Sequence, residues 1–264
     1  MRTQTRTILA FLMAAALTTG CDIVTASLGP EHTSQWQKTY PIATNGSVEI
    51  DNVNGKIDVE PSSGNTVEVI AIKKAHGASE EAAKAALDRI TIAEDVSESR
   101  VKVEAKFPHN EGFMFTGNNG KVDFQIKVPA GVEATYATVN GEVSVRGMDG
   151  RVKARTTNGG VTARDMSGQL DARTTNGGLN IDLARVSQGG VTLRCTNGGI
   201  RVQLPRDAKA TISASITNGG ISTVDLPIDA SGENSRRKLE AKMNGGGPRL
   251  EIDGTNGGIK LTSR

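Results

Sequence analysis

The chain has 264 residues, and aromatic side chains make up only 3% of it, too few to fill the wide core of an ordinary globular domain. Its 31 basic and 29 acidic side chains give a formal charge of +2, so no strong basic field favours nucleic acid, and we expect no nucleic-acid partner. The two cysteines, Cys21 and Cys195, do not suggest a disulfide framework.

The first 21 residues have the pattern of an export signal followed by a lipidation site. Arg2 and Arg6 precede the apolar run Ile8–Leu17, which at ten residues is too short to span a bilayer as a helix but suits a signal peptide. The small residues before Cys21 resemble the bacterial lipobox, whose cysteine thiol carries the lipid. We therefore predict a lipoprotein signal peptide at 1–20 and a lipidated Cys21, which would anchor an exported protein on the periplasmic or surface side of a bacterial membrane. The alternative is an ordinary secretory leader with a chance cysteine.

Residues 21–35 lack strand or helix periodicity, so we predict a lipidated N-terminus and flexible tether there, followed by a single domain at 36–264. Within that domain, 36–135 is predicted to be an N-terminal cap of strands and one helix. The predicted strands are Ser47–Ile50, Lys56–Glu60, Thr66–Lys74, Arg100–Phe107 and Lys121–Pro129. The helix is predicted at Ser79–Ile90, with Ser79 as its N-cap. Its apolar stripe should pack on the first strands and cover an open end of the fold.

A repeated turn motif organises the remainder, residues 136–264, which we predict to be repeat coils. Asn-Gly recurs at Asn140, Asn158, Asn176, Asn197, Asn218, Asn244 and Asn256. The first two steps are 18 residues long, and a second turn signal, Asp-Gly or Ser-Gly, divides each of them. Between turns, apolar and polar residues alternate, which is the pattern of a half-buried strand.

Two architectures fit this pattern. In a parallel β-solenoid, each unit is one coil of two strands, and two sheets face each other across a thin core. In an antiparallel meander, every Asn-Gly would instead be a hairpin turn. We favour an all-β parallel β-solenoid of short strands with one capping α-helix near its N-terminal end, because whole coils are alike at corresponding positions. The corner asparagines would then stack as a ladder made of Asn140, Asn158, Asn176, Asn197 and Asn218.

Three arginines, Arg155, Arg173 and Arg194, occupy equivalent outward positions in successive coils. Stacking would place them about 4.8 Å apart, where like charges repel unless an anion or an acidic neighbour relieves them. One hypothesis is a strip that binds phosphate or carboxylate groups. The alternative is a solvated face balanced by Asp171 and Asp182.

The sequence contains no pattern of catalytic or metal-binding residues. His32, His76 and His109 lie in different segments without metal-ligand spacing, and no phosphate-binding loop or nucleophile motif is present. Cys195 falls at an inward position, where we expect a small buried side chain, with a reactive thiol as the alternative. We therefore expect no enzymatic activity, no metal and no cofactor.

Several stretches resemble the bacterial "putative adhesin" family of unknown function. They are Val48–Pro61, the charged strand and helix at Val67–Ile90, Phe124–Val132, and the ladders of Val-Asn-Gly and Thr-Asn-Gly-Gly turns. The resemblance covers roughly residues 40–264 and implies an envelope-associated, often lipid-anchored, β-helical protein for which no catalytic residues are established. Related domains occur in membrane-stress sensing systems.

Three functions are compatible with these observations. The first is a non-enzymatic binding, adhesion or scaffolding module of the cell envelope, whose partner is envelope polysaccharide, lipid headgroups or another envelope protein. The second, which the family resemblance alone suggests, is a component of envelope-stress sensing or regulation. The third is a polysaccharide-active enzyme on a β-helix, although the coils lack the aromatic platforms that bind sugars at such sites. We favour the first.

Overall fold

A computed structural model describes residues 29–108, 120–230, 232 and 234–264 of the chain. The predicted signal peptide and the predicted lipidation site, Cys21, lie outside the described residues. The described chain is mostly β-structure, with one short helix, α1 (Glu80–Asp88), and a large, mostly parallel sheet. The strands are β1 (Glu31–Pro41), β2 (Ser47–Asp51), β3 (Ile57–Ser62), β4 (Thr66–His76), β5 (Thr91–Ser97), β6 (Arg100–Lys106), β7 (Gly120–Pro129), β8 (Glu133–Asn140), β9 (Val143–Arg146), β10 (Val152–Asn158), β11 (Val161–Met166), β12 (Leu170–Asn176), β13 (Leu179–Leu183), β14 (Val191–Asn197), β15 (Ile200–Leu204), β16 (Ala210–Val224), β17 (Ile228–Ala230), β18 (Lys238–Met243) and β19 (Arg249–Ser263).

The strands of the stack lie in two rows, and each coil contributes one strand to each row. In the first row, the order is β6, β2, β8, β10, β12, β14, the first half of β19 and the first half of β16. In the second row, it is β7, β3, β9, β11, β13, β15 and the second halves of β19 and β16. Neighbours within each row are parallel, as expected for a solenoid-like repeat.

Alternation along each strand separates the core from the outer faces. In β10, Val152 and Ala154 are buried, whereas Lys153 is half-buried and Arg155 is exposed. The residues in register with them in β12 and β14 alternate likewise, except that Arg173 and Arg194 are half-buried, so the aliphatic side chains of successive coils form one continuous core. Small side chains can fill this core because packed sheets lie only about 10 Å apart. In keeping with this aliphatic core, the sequence contains no aromatic ring after Tyr136.

Antiparallel strands extend the stack at both ends, so the expectation of a purely parallel solenoid is wrong there. At the N-terminal end, β4 pairs antiparallel with β1 and β7, and β5 pairs antiparallel with β6. At the other end, β18 pairs antiparallel with β16 and β17. The segment up to residue 35 was expected to lack strand structure, but β1 begins at Glu31. The strand escapes a periodicity test because, at the sheet edge, nearly all of its side chains are exposed or half-buried.

Helix α1 begins after Ser79, whose hydroxyl oxygen accepts a hydrogen bond from the Ala82 amide, as the capping pattern predicted. Ala83 and Leu87 are its buried residues, and the helix packs mainly against β4 and β1. It therefore lies beside the antiparallel strands of the N-terminal end.

Coils do not stack in chain order throughout. β2 and β3 lie directly against β8 and β9, although the chain between them runs through β4 to β7 and α1. Near the other end, β19 lies between β16 and the pair β14 and β15. The last strand of the chain is therefore an inner strand of the stack.

Candidate functional site

The corner asparagines form a continuous ladder of side-chain amides. Asn158 Nδ2 donates to Asn140 Oδ1 at 2.8 Å, Asn176 donates to Asn158 at 2.9 Å, and Asn197 donates to Asn176 at 2.9 Å. Parallel register brings the side chains together, because each asparagine ends its strand opposite the next one. Every donor points towards the same end of the stack, so the hydrogen bonds polarise one another in series.

Chain order suggested that Asn218 follows Asn197 in the ladder, but it does not. Asn256 lies between them: its Nδ2 donates to Asn197 Oδ1 at 2.7 Å, and Asn218 Nδ2 donates to Asn256 Oδ1 at 2.9 Å. At the opposite end, Asn54 accepts from Asn140 Nδ2 at 2.7 Å and extends the ladder by one member that the sequence reasoning missed. The Thr-Asn-Gly-Gly-Ile sequence around Asn256 is the signal that could have identified Asn256 as a member of the ladder.

Asn244 has the Asn-Gly sequence but lies off the ladder. It adopts a left-handed backbone conformation, with φ of 49°, at the turn that follows β18. Its Nδ2 donates to the carbonyl oxygens of Arg206 at 3.0 Å and Ala208 at 2.8 Å. The asparagine thus ties two turns together and ends an antiparallel strand.

A second column of hydrogen bonds lies on the core side of the same corner. In each case a buried side chain donates to a glycine carbonyl oxygen of the neighbouring coil. The pairs are Thr138 with Gly55 (3.1 Å), Thr156 with Gly141 (2.8 Å), Thr174 with Gly159 (2.7 Å) and Cys195 with Gly177 (3.3 Å). Burial raises the pKa of the Cys195 thiol above its ordinary value, which keeps the thiol protonated and able to donate. Cys195 therefore has a structural place in this column.

The three predicted arginines lie in register on the outer face of the first row, which we call the arginine face. Arg173 donates from Nε and Nη2 to the two carboxylate oxygens of Asp171 at 2.8 and 2.9 Å. Arg155 Nη2 lies 3.8 Å from the same carboxylate, and Arg194 Nε lies 3.5 Å from Asp253. Each guanidinium therefore already has an acidic neighbour.

Asp182, the second acid expected to balance this face, belongs to β13 in the second row and contacts Arg264 instead, with Nη1 3.1 Å from Oδ1. The arginine face also carries a column of outward threonine hydroxyls. Together they line a shallow groove of about 430 Å³ whose polar side chains include Arg155, Arg173, Arg194, Thr157, Thr175 and Thr196. In this arginine–threonine groove, each successive strand of the first row presents the same hydrogen-bond donors.

The described residues contain no group of three or more His, Cys, Asp or Glu side chains that could hold a metal ion. His32 and His76 each face one carboxylate, Glu80 at 2.6 Å and Glu31 at 3.2 Å, while His109 lies outside the described residues. Within those same parts of the chain, no helix is both long enough and apolar enough to cross a membrane.

Comparison with known proteins places the chain in a family. The family model described as Toastrack DUF4097 matches residues 67–262. Among solved structures, a "putative cell adhesion protein" from Clostridium sporogenes aligns with a TM-score of 0.51 and 13% identity, covering 88% of this chain and 100% of that one. A "putative adhesin" from Bacteroides fragilis aligns with a TM-score of 0.33 and 10% identity, covering 88% of this chain and 97% of its own. A search of curated proteins finds no match.

Proposed function

Because the chain belongs to the Toastrack DUF4097 family, we propose that it is a binding module of the bacterial cell envelope, active in adhesion or scaffolding and without a catalysed reaction. The observation that carries this proposal is the arginine–threonine groove, where three successive coils present the same side chains in register. A rigid, repeated surface of this kind suits recognition, because its side chains are held in place before a partner arrives.

The compensated charges of the arginine face favour one kind of partner. Asp171 and Asp253 engage the guanidinium groups, so a free anion would have to compete with them. A surface that carries both charges and hydrogen-bonding groups, such as another envelope protein, can pair with the arginines and the acids together. We therefore propose that the arginine face contacts an envelope protein.

We propose that the protein is attached to the membrane by lipid on Cys21. In this arrangement, residues 1–20 are removed on export, lipid on the cysteine thiol holds the protein at the membrane, and the few residues before β1 act as a short tether. The domain then follows, with its strand-and-helix cap before residue 136 and its repeat coils after it. We propose that α1, packed beside β4 and β1, shields the N-terminal end of the stack from edge-to-edge association.

The lipid anchor is tested by replacing the cysteine. We expect Cys21→Ser to move the protein from the membrane fraction to the soluble fraction, and intact-mass measurement of the wild-type protein to show an acylated N-terminus. If the variant stays with the membrane and the wild-type mass shows no lipid, the anchor proposal is wrong.

The binding role is tested by photo-crosslinking in living cells. A photoreactive side chain at Thr175 should capture one defined envelope protein, and the triple change Arg155→Gln, Arg173→Gln and Arg194→Gln should abolish capture. The same photoreactive group at Lys84, exposed on α1, is the matched control and should not capture that protein. Equal capture in the triple variant would reject the arginine face as the contact.

The stress-sensing alternative makes a different prediction. Deleting the gene should then change the activity of envelope-stress reporters in unstressed cells. For the binding module, we expect unchanged reporters in unstressed cells.

A further inference from the structure

The outer face of the second row carries a separate groove that faces away from the arginine face. It has a volume of about 420 Å³, and its polar lining includes three cations, Arg164, Arg201 and Lys260. Uncharged hydrogen-bonding groups complete it: the side-chain amides of Asn180 and Gln203, and the hydroxyl of Thr262. We call it the second-row groove.

Its three cations have no acidic partner in the part of the chain that the structure describes, unlike the three arginines of the arginine face. Among the described residues, no carboxylate lies within 4.0 Å of the charged nitrogens of Arg164, Arg201 or Lys260. The groove's own carboxylate, Asp182, is engaged by Arg264, whose Nη1 lies 3.1 Å from Oδ1 and 3.2 Å from Oδ2. The groove therefore keeps a positive charge that the protein does not neutralise.

Another groove on the molecule shows the contrast. Lys56, Lys74 and Lys121 line a recess near the start of the asparagine ladder, and each is paired with a carboxylate. The partners are Asp58 at 2.5 Å, Glu31 at 3.6 Å and Asp123 at 3.2 Å. The lysines of that recess thus differ from the cations of the second-row groove, because each of them has a carboxylate partner.

Strand register places the unpaired cations on neighbouring strands. Arg201 in β15 is directly opposite Lys260 in β19, and Asn180 in β13 is directly opposite Arg201. Adjacent parallel strands lie about 4.8 Å apart, so the two exposed cations extend from directly neighbouring positions on the outer face. The two like charges repel each other, and a bound anion would relieve that repulsion.

We propose that the second-row groove binds an acidic polysaccharide, a glycan chain that carries carboxylate or phosphate groups. A guanidinium fork pairs well with either anion, and the neighbouring amides and hydroxyl can bond to sugar hydroxyls. The inference deepens the proposed binding role and rests on it, but it concerns a different face from the one that contacts a protein.

The groove favours a glycan over a membrane surface. Its side-chain lining is polar or charged, and the one aliphatic residue in it, Ile181, points into the core with 2% of its surface exposed. A face that enters a bilayer interface needs apolar or aromatic side chains next to its cations. No aromatic residue follows Tyr136 in the sequence, so charge must supply most of the glycan affinity. Binding should therefore weaken steeply with added salt.

Calorimetric titration of the purified full-length protein tests the proposal. The probes are alginate oligosaccharides for carboxylate, phosphorylated dextran for phosphate, neutral dextran, and vesicles of phosphatidylglycerol. We expect salt-sensitive binding of at least one acidic glycan and none of neutral dextran. Arg201→Gln with Lys260→Gln should weaken the glycan about tenfold or more, since two charge-assisted contacts are lost. The control pair, Lys84→Gln on α1 with Arg89→Gln at its C-cap, removes the same charge elsewhere and should bind as the wild type does.

Two results would overturn the inference: equal loss in the control pair, which would indicate a general charge effect, or binding to vesicles but to neither acidic glycan. Neither result touches crosslinking at Thr175, so failure of this groove and failure of the proposed protein contact can be told apart.

Discussion

At each Thr-Asn-Gly-Gly corner, the first glycine has no room for a side chain. Gly198 has φ of +150°, and a Cβ there would overlap the carbonyl oxygen of Gly177 in the neighbouring coil. A Cβ on the next residue, Gly199, would lie 3.7 Å from its nearest neighbour, the Gly258 carbonyl oxygen. The stacking distance between coils therefore requires glycine at Gly198 but leaves room for a methyl group at Gly199.

This difference gives a matched pair of variants. We predict that Gly198→Ala lowers the free energy of unfolding by at least about 2 kcal/mol, because the coils must separate to admit the methyl group. Gly199→Ala should change it by less than about 1 kcal/mol. Urea denaturation followed by circular dichroism measures both, and equal losses would contradict the assigned crowding.

Among the strands, β2 and β6 are joined by an ion-pair cluster as well as by backbone hydrogen bonds. Glu49 accepts from Lys102 Nζ at 2.7 Å and from Arg100 Nη2 at 2.9 Å. The hydrogen bond from Lys102, followed by that from Arg100, holds the pKa of the Glu49 carboxyl below its ordinary value of 4.5. The folded state thus binds this proton less readily than the unfolded state does.

The sign of the pH dependence follows directly. Stabilisation by Glu49 is complete above pH 4.5 and is lost as the pH falls through the lowered pKa of the folded state. We predict that Glu49→Gln costs up to about 1 kcal/mol near neutral pH and that its difference from wild type shrinks in acid. Urea midpoints at several pH values measure this. The control is Glu98→Gln, at an exposed glutamate without an ion pair among the described residues, and it should keep the wild-type stability near neutral pH.

The inner strands could be predicted from sequence because they are buried on one face only. Thr66–Lys74 was predicted and β4 spans Thr66–His76, since alternation marks a strand with one buried face. β1 and β5 were missed because they lie at sheet edges, and most of their side chains are exposed on both faces. Their polar sequences lack the alternation of apolar and polar residues that predicts a strand.

A candidate site could be predicted from the sequence where its residues come from coils that are consecutive along the chain. Arg155, Arg173 and Arg194 come from consecutive coils, so their alignment follows from the 18-residue period and its later insertion. The pairing of Arg201 with Lys260 joins residues from β15 and β19, across the antiparallel strands β17 and β18. A repeat that is aligned in chain order does not predict that Arg201 and Lys260 are neighbours.

The whole molecule behaves as a stack in which one coil resembles the next, and this allows a coil to be removed. Deleting residues 155–172 removes 18 residues, the same number as the step from Asn158 to Asn176, and joins Ala154 to Arg173 in the same inward and outward order. We predict a shorter protein that still unfolds cooperatively with a β-sheet spectrum.

The matched control deletes residues 155–171 and leaves one additional alanine within the strand. That single residue either turns Arg173 towards the core or forces a bulge, because side chains alternate with a period of two. We expect this variant to be at least about 2 kcal/mol less stable than the 18-residue deletion, or to aggregate. Equal stability of the two deletions would show that coil register is unimportant.

The inner position of β19 has a consequence for how the molecule is completed. Its residues are made after those of β16, yet they must lie between β16 and the pair β14 and β15, reaching 59 residues back along the chain at the asparagine ladder. A nascent chain can wind its earlier coils as they emerge, but it cannot close the stack until its final strand arrives. A product that terminates before residue 249 would leave strand edges with unpaired backbone groups on both sides of the missing strand. Such edges recruit other chains, so early termination would yield aggregates in place of a shortened solenoid.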